Sequence, residues 1–300
     1  MSLLDQEDFT RTDRGTSAEA AMRGVSFILH IEGKYKSENM ETVRDYIFYK
    51  NLTKSLGFSA DIRLEGDCNS LMKESMRIGQ SDSKEHIFIF DRDHNEVMGI
   101  NKINSPCDFY TQGYSWENDF WTSSLLQTVV DVFCDDQDAI EACLSNFKEI
   151  ENTAKEYHKL NILSRANGKK IFDMGGVCNM PITFSGGRCT FLQGCLTRLQ
   201  SMWEDLDIQD SQKTISANSF LNNEYYNHPG YLIQGHSYEH LILEFIVKHS
   251  SNLKIVSSNN FCDKDMLCSI ATRAFIKSPI NMLNPSTINH YKSIFTSMAA

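Results

Sequence analysis

No stretch of the sequence approaches the roughly 18 to 20 uncharged apolar residues that a membrane-spanning helix requires, so a helical membrane protein is not expected. Its cysteines also lack a meaningful pattern. There are nine, an odd number, and the nearest pairs, Cys189 with Cys195 and Cys262 with Cys268, have five intervening residues. Structural zinc pairs are typically spaced by roughly two to four. The N-terminal stretch MSLLDQEDFTRTDRGTSAEA is polar, carries both charge signs and shows no secretory signature, so buried free thiols in a reducing cytoplasm are expected. An excess of positive charge is missing as well: 29 Lys and Arg face 39 Asp and Glu, a net charge of -10. Non-specific nucleic-acid binding depends on many basic groups neutralising phosphates, which excludes a general nucleic-acid coat. Any such contact must be local or metal-bridged. No G-x-x-x-x-G-K-[ST] run occurs, so an ATP-driven step must belong to another chain. Neither an internal repeat nor a low-complexity block is present.

The 300 residues suffice to bury a full core, as one large domain or two unequal ones. Residues 1–22 lack periodicity and read as a flexible N-terminal arm. Residues 23–130 alternate strand and helix patterns. VSFILHIEG (25–33) is a continuous apolar run ending in Glu-Gly, METVRDYIFYKNLTKSLGF has near-helical spacing, ADIRLEG (60–66) alternates, NSLMKESMRIGQ (69–80) is helical, and HIFIFDRDHN (86–95) is a second apolar strand ending in acids. A further strand is expected through Phe109 and Tyr110, then a loop and a helix beginning near Glu117. This alternation predicts an α/β fold with a parallel sheet and crossover helices. Residues 131–300 read as mainly α-helical, with helices over 237–249, 263–277 and 286–298. Local charge changes sign along the chain: 101–160 hold four Lys/Arg against eleven Asp/Glu, and 161–200 hold five against Asp173 alone.

In such a sheet functional groups collect at the carboxyl ends of the strands. Glu32 ends the first strand, and Asp91 and Asp93 end a later one. Magnesium takes hard oxygen ligands, usually one or two carboxylates with water and substrate phosphate. Three acids at one sheet edge therefore form a candidate site for Mg2+, with Mn2+ a possible substitute, at which phosphoryl chemistry can be performed. Taken singly, Asp-Arg-Asp also suits a turn, and Glu32 also suits a helix cap.

These segments resemble the toprim superfamily, whose Rossmann-like domain occurs in topoisomerases, primases and overcoming-lysogenization-defect (OLD) nucleases. The resemblance rests on Ile31-Glu32-Gly33 and on Phe90-Asp91-Arg92-Asp93. Tyr114-Ser115-Trp116-Glu117-Asn118 is similar to the Tyr-Ser-x-Glu-Asn segment of a toprim-like subfamily that includes the toxic effector of the PARIS anti-phage system. The motifs cover about residues 25–121, and Gln234-Gly235-His236-Ser237 is a weaker echo. The chain departs from the pattern at Lys36 and Asn95, where relatives often carry acids. The resemblance implies a metal-dependent nuclease with Glu32, Asp91 and Asp93 as metal ligands and Glu117 supporting the site. It further implies cleavage of host transfer RNA, an ATPase partner that holds the chain inactive until infection, and a homodimer when active.

Other readings of the same residues stand beside it. DNA as the substrate is one. A degenerate toprim fold serving as scaffold or sensor is another, supported by Lys36 and Asn95. His236-Ser237-Tyr238-Glu239-His240 fits the H-x-x-E-H pattern of inverted zincins. Zinc hydrolysis needs a third ligand, yet Glu244 is the last Glu and lies one turn on, leaving His249, Asp263, Asp265 and His290 as conceivable ligands. Arg165, Lys169 and Lys170 form a basic loop that can touch phosphate or simply be solvated. Gly175-Gly176 and Gly186-Gly187 suit either anion nests or turns. Trp116, Phe120 and Trp121 suit either base stacking or packing.

Overall fold

A computed structural model describes residues 19–33, 42–79, 85–169, 171, 182–223, 226, 228–249 and 263–299. Expectations for 1–18, Lys36, Lys170, Gly175-Gly176, Cys178 and Cys262 lie outside these residues. The described chain divides into two compact units, each discontinuous in sequence. One comprises the described residues within Met1–Phe90, Ile103–Phe109 and Lys292–Ala300, and the other Asp91–Lys102 and Tyr110–Tyr291.

The first unit is α/β. Its elements are α1 (Glu19–Arg23), β1 (Phe27–Ile31), α2 (Arg44–Ser55), β2 (Ala60–Leu64), α3 (Cys68–Gly79), β3 (His86–Phe90) and β4 (Asp108–Tyr110) up to Phe109. The strands form one parallel sheet in the order β2-β1-β3-β4, as the alternating strand and helix patterns predict. β1 and β3 are buried at every position, and β2, at the edge, alternates with Ile62 and Leu64 inward. This is how central and edge strands of a covered parallel sheet should differ.

The polar exception in β1 is His30, buried yet satisfied. Its Nδ1 meets Glu65 Oε1 at 2.6 Å, and its Nε2 meets His86 Nδ1 at 2.8 Å. The imidazole also stacks on Phe88, with centroids 4.4 Å apart. α1 is tied to the sheet through Glu19, whose carboxylate accepts from Arg63 at 2.5 Å, and through the Ala20 amide, which donates to Glu85 Oε2 at 2.9 Å. The segment expected as an arm up to residue 22 thus ends in ordered helix.

The second unit is mainly helical. It holds α4 (Trp116–Phe120), α5 (Ser123–Asp131), α6 (Gln137–Ala166), β5 (Ile182–Ser185), β6 (Arg188–Phe191), α7 (Gln193–Glu204), α8 (Gln212–Leu221), α9 (Pro229–Leu232), α10 (Gly235–His249), α11 (Lys264–Lys277), α12 (Pro279–Met282) and the start of α13 (Pro285–Ala299). α6 is its axis: Asp136 caps its start by accepting from the Ala139 amide, and Gly168, at φ 72°, follows its end. A cluster of Ile162, Leu163, Trp203, Leu221, Tyr226 and Leu232 packs around the last turns of α6.

The antiparallel hairpin of β5 and β6 is a strand pair within the region expected to be mainly helical. Gly186 (φ 59°) and Gly187 (φ 83°) form its turn, so this pair shapes a hairpin: two successive left-handed residues match the twist of paired strands. Asn146 of α6 secures β6, accepting from the Cys189 amide at 2.8 Å and donating to the Cys189 carbonyl at 3.1 Å. Among the described residues, no helix is long and apolar enough to cross a membrane, and the seven described cysteines are free thiols.

α13 serves both units. Tyr291 belongs to the second, while Phe295 belongs to the first, where it stacks on Phe27 with centroids 5.1 Å apart and meets the edge of Phe58 at 5.8 Å.

Candidate functional site

β1 and β3 lie side by side and parallel, with Ile31 opposite Ile89. The chain passes from β1 outward to β2, then back across β1 to β3, so the strand order reverses between β1 and β3. Ligands of open parallel sheets bind at the carboxyl ends of strands at such a reversal. Glu32 is the residue after β1 and Asp91 the residue after β3. Glu32 is half-buried. Behind it, Gly33 (φ 151°) exchanges two backbone hydrogen bonds with Gly66, at 2.9 and 2.8 Å. A Cβ at Gly33 would stand 2.9 Å from both Asp45 Oδ2 and Leu64 Cδ2. Glycine suits the backbone conformation there, and a Cβ would oblige the Asp45 and Leu64 side chains to shift.

Asp91 and Asp93 lie in the second unit, both half-buried. Asp93 adopts φ 52°, a left-handed conformation uncommon outside glycine. Its amide donates to the Tyr114 carbonyl at 2.8 Å, and its Oδ2 accepts from Lys102 Nζ at 2.7 Å. Arg92 is a strut: its amide and Nε donate to Thr111 at 3.1 Å, and its guanidinium pairs with Glu96 at 3.0 Å. Asn95 braces the same turn, donating to the Arg92 carbonyl at 2.7 Å. Burial raises the pKa of the Tyr114 hydroxyl well above its ordinary value, and the charges of Asp93 and Asp91 add to the shift. Among the described residues, no group of three His, Cys, Asp or Glu side chains is gathered so as to hold a metal ion.

Glu117 sits in a separate polar knot of the second unit. Ser115, Glu117, Asn118 and Asp119 are all buried. The Ser115 hydroxyl donates to Glu117 Oε2 at 2.6 Å, and His236 Nδ1 meets Glu117 Oε1 at 2.8 Å although the His236 side chain is 81% exposed. Asn118 completes a capping box by accepting from the Ser115 amide, and it donates to the carbonyls of Gly230 and Ile233. This arrangement ties the start of α4 to the start of α10. Burial alone would raise the Glu117 carboxyl pKa, but the hydrogen bond and charge of His236, with the Ser115 hydrogen bond, hold it below the ordinary value.

Its stabilising contribution is therefore present above the unfolded carboxylate pKa and lost as pH falls through the folded one. Glu117→Gln should lower stability by about 1 to 3 kcal/mol at neutral pH and flatten the acid side of a pH-dependent melting curve. An unchanged acid limb would show that the His236 pair contributes nothing.

Asp119 behaves in the opposite way. Burial pushes its carboxyl up to about 7, outweighing hydrogen bonds from Tyr291 at 2.6 Å and from the amides of Gly113 and Gln112 at 2.7 and 3.1 Å. A raised carboxyl binds its proton more tightly in the folded state, so its contribution declines as pH climbs from about 4 to 7. His94 and His158, whose pKa values burial pushes down to about 3, add stability over part of that window, so the informative quantity is a difference between proteins. The stability of Asp119→Asn relative to the unaltered chain should improve by on the order of a few kcal/mol between pH 4 and 7. Parallel curves would sink this assignment.

The H-x-x-E-H run does not converge on a common centre among the contacts seen. His236 turns to Glu117, Glu239 accepts from Trp121 Nε1 at 3.0 Å, and His240 Nδ1 lies 3.3 Å from Lys264 Nζ. His249 meets Asn146 at 2.9 Å, His290 meets the Tyr110 carbonyl at 2.8 Å, and Asp263 caps α11. Trp116, Phe120 and Trp121 are buried and packed edge to face, which makes them core. Arg165 and Lys169 are exposed.

Residues absent from the sequence expectations include Lys102 and Asp119, together with the partnership of His236 and Glu117, while Ser115 stood there only within the Tyr-Ser-Trp-Glu-Asn segment. Only the Gly-His of Gln234-Gly235-His236-Ser237 carried a signal for that partnership. No family model matches the chain, and comparison with curated proteins finds no match.

Proposed function

We propose that this chain is a toprim-type, metal-dependent nuclease that acts as the toxic effector of an anti-phage system. In this reading it cleaves host transfer RNA as a homodimer after release from an ATPase partner in the cytoplasm. The observation that supports the chemistry best is the strand-order reversal between β1 and β3, with Glu32 and Asp91 each one residue beyond those strands. The donors suit the ion in kind: Glu32, Asp91 and Asp93 offer hard carboxylate oxygens, as magnesium or manganese requires. When bound, such an ion supplies neutralisation of phosphate charge and a water of lowered pKa. Glu32 then serves as a ligand beside Gly33, Arg92 holds the turn that carries Asp91 and Asp93, and Glu117 positions His236 through α10. RNA, partner and trigger are carried by the resemblance of Tyr114-Ser115-Trp116-Glu117-Asn118 to the subfamily segment.

The test is to incubate the purified chain with total cellular RNA, and separately with plasmid DNA, in magnesium, and to sequence any new ends. Discrete cuts in a transfer RNA support the reading. Cuts confined to DNA would move the substrate, and no cutting of either would overturn the nuclease.

One observation favours a second reading, a toprim-like scaffold: Asp93 is already paired with a lysine, and no three-ligand group is gathered among the described residues. A thermal melt that is unmoved by millimolar magnesium and manganese, together with intact nucleic acids, favours that scaffold.

A further inference from the structure

His236 is exposed but not loose. Its side chain is 81% exposed, yet its Nδ1 lies 2.8 Å from Oε1 of Glu117, whose own side chain is only 4% exposed. The Ser115 hydroxyl takes the other carboxylate oxygen at 2.6 Å. Gly235 brings no side chain between them, and a Cβ there would stand 2.8 Å from Glu117 Oε2. Carboxylate and imidazole are thus fixed against one another.

The junction of the two helices does not need this pair. Asn118 already ties α4 to the chain before α10 through the carbonyls of Gly230 and Ile233, and those neutral bonds bury no charge. Burying a carboxylate adds a desolvation cost that a mere junction avoids. What the pair adds is a set tautomer. The Glu117 carboxyl pKa is held below its ordinary value, so its oxygens accept, Nδ1 carries the proton and Nε2 becomes the basic nitrogen of the ring. A buried carboxylate behind an imidazole is the arrangement that orients a histidine for proton transfer. Other charged groups on α10 and on the elements packed against it have partners of their own. Glu239 accepts from Trp121, Glu244 pairs with Lys248 and Lys264, Glu151 of α6 accepts from Tyr238, and Asp119 of α4 accepts from Tyr291. The segment that carries Glu117 also reaches the turn after β3: Tyr114, three residues earlier, accepts from the Asp93 amide at 2.8 Å.

We propose that His236 is the proton acceptor in phosphodiester cleavage, with Glu117 as its positioning residue. The proposal rests on the nuclease reading and on no cation at Asp91 or Asp93. Nε2 takes a proton from the attacking water as the water oxygen bonds to phosphorus. The bond from phosphorus to the leaving sugar oxygen breaks, that oxygen takes a proton from solvent, and the imidazolium returns its proton to bulk water.

The test follows cleavage of total cellular RNA and of plasmid DNA from about pH 5 to 8 by the unaltered chain, His236→Ala, His236→Asn and Glu117→Gln, with a thermal melt of each. Asparagine keeps an N–H donor for Glu117 near the place of Nδ1 but has no basic nitrogen. Both His236 variants should cleave about a hundredfold more slowly and lose the acid limb of the pH profile, and His236→Asn should melt close to the unaltered chain. Glu117→Gln should lower kcat and leave KM near its unaltered value. Because the ring stands mostly in solvent, added imidazole should restore cleavage to His236→Ala in proportion to its concentration.

Full cleavage by His236→Asn with its acid limb intact overturns the proton role and leaves the nuclease reading standing. So does a slow His236→Ala that imidazole fails to restore. If the unaltered chain cuts neither RNA nor DNA, the nuclease reading falls, and the proton role with it.

Discussion

Glu32→Ala and Glu32→Gln are each expected to lower magnesium-dependent RNA cleavage by at least about a hundredfold, since removing one group that stabilises transition-state charge commonly costs that much. Melting of the same variants should stay close to that of the unaltered chain. Two features separate chemistry from folding here. Backbone hydrogen bonds help to hold this end of β1, from Gly33 to Gly66 and from the Glu65 amide to the Ile31 carbonyl at 3.0 Å, and the Glu32 side chain is half-buried. Changes at partly exposed sites outside the core are usually within about 0.5 kcal/mol. Cleavage assays, metal binding and thermal melts on both variants make the comparison. Retained cleavage removes Glu32 from the site, and a collapsed melt makes it a structural residue.

Gly235→Ala is expected to be the most destabilising single-methyl change in the second unit. A Cβ there would lie 1.9 Å from Ser115 Oγ, 2.8 Å from Glu117 Oε2 and 3.1 Å from Asn118 Oδ1. Ser115 is buried and hydrogen-bonded to Glu117, and Asn118 is buried and bonded to two carbonyls, so the knot has no slack. Overpacking of this severity costs about 3 kcal/mol or more. The knot must open, and the His236 to Glu117 pair goes with it. Gly194→Ala provides the contrast: it lies within α7 with nothing inside 4 Å of its Cβ position, so the change should stabilise by about 0.5 to 1 kcal/mol. Chemical denaturation of the two variants decides. Similar small effects in both would show that the α4 to α10 junction is looser than its geometry.

The sheet was legible because its signals are local. FILHI and HIFIF (86–90) are apolar runs long enough for central strands, ADIRL alternates as an edge strand should, and Glu32, Asp91 and Asp93 follow directly on strand ends. The hairpin at 182–191 escaped because ITFS and RCTF are short and sit among helical patterns, although Gly186-Gly187 between them was the available clue. Lys102 escaped for a different reason. Nothing marks a single lysine in a loop until the backbone brings it back to Asp93. The polar knot was half legible: its segment stood out as Tyr-Ser-Trp-Glu-Asn, but its partners Gly235, His236 and Tyr291 lie more than a hundred residues away. Spacing cannot report contacts of that separation. The buried His30 was masked in the same way, since a histidine within an apolar run gives no sign of Glu65 just beyond one neighbouring strand and His86 on the other.

The ring stack of Phe295 on Phe27 sets a timetable for synthesis. Phe27 opens the first strand, and Phe295, itself fully buried, completes the packing around it. The intervening chain includes all of the second unit, so the first unit's core closes across one of the longest loops available to this sequence. Closing so long a loop is entropically unfavourable until the contacts that reward it exist. At translation speeds of about 5 to 20 residues per second, β3 leaves the ribosome on the order of 10 to 40 s before Phe295 does. During that interval the sheet that carries Glu32 lacks its last aromatic layer. A growing chain therefore cannot complete the packing around Phe27 until translation has passed residue 295.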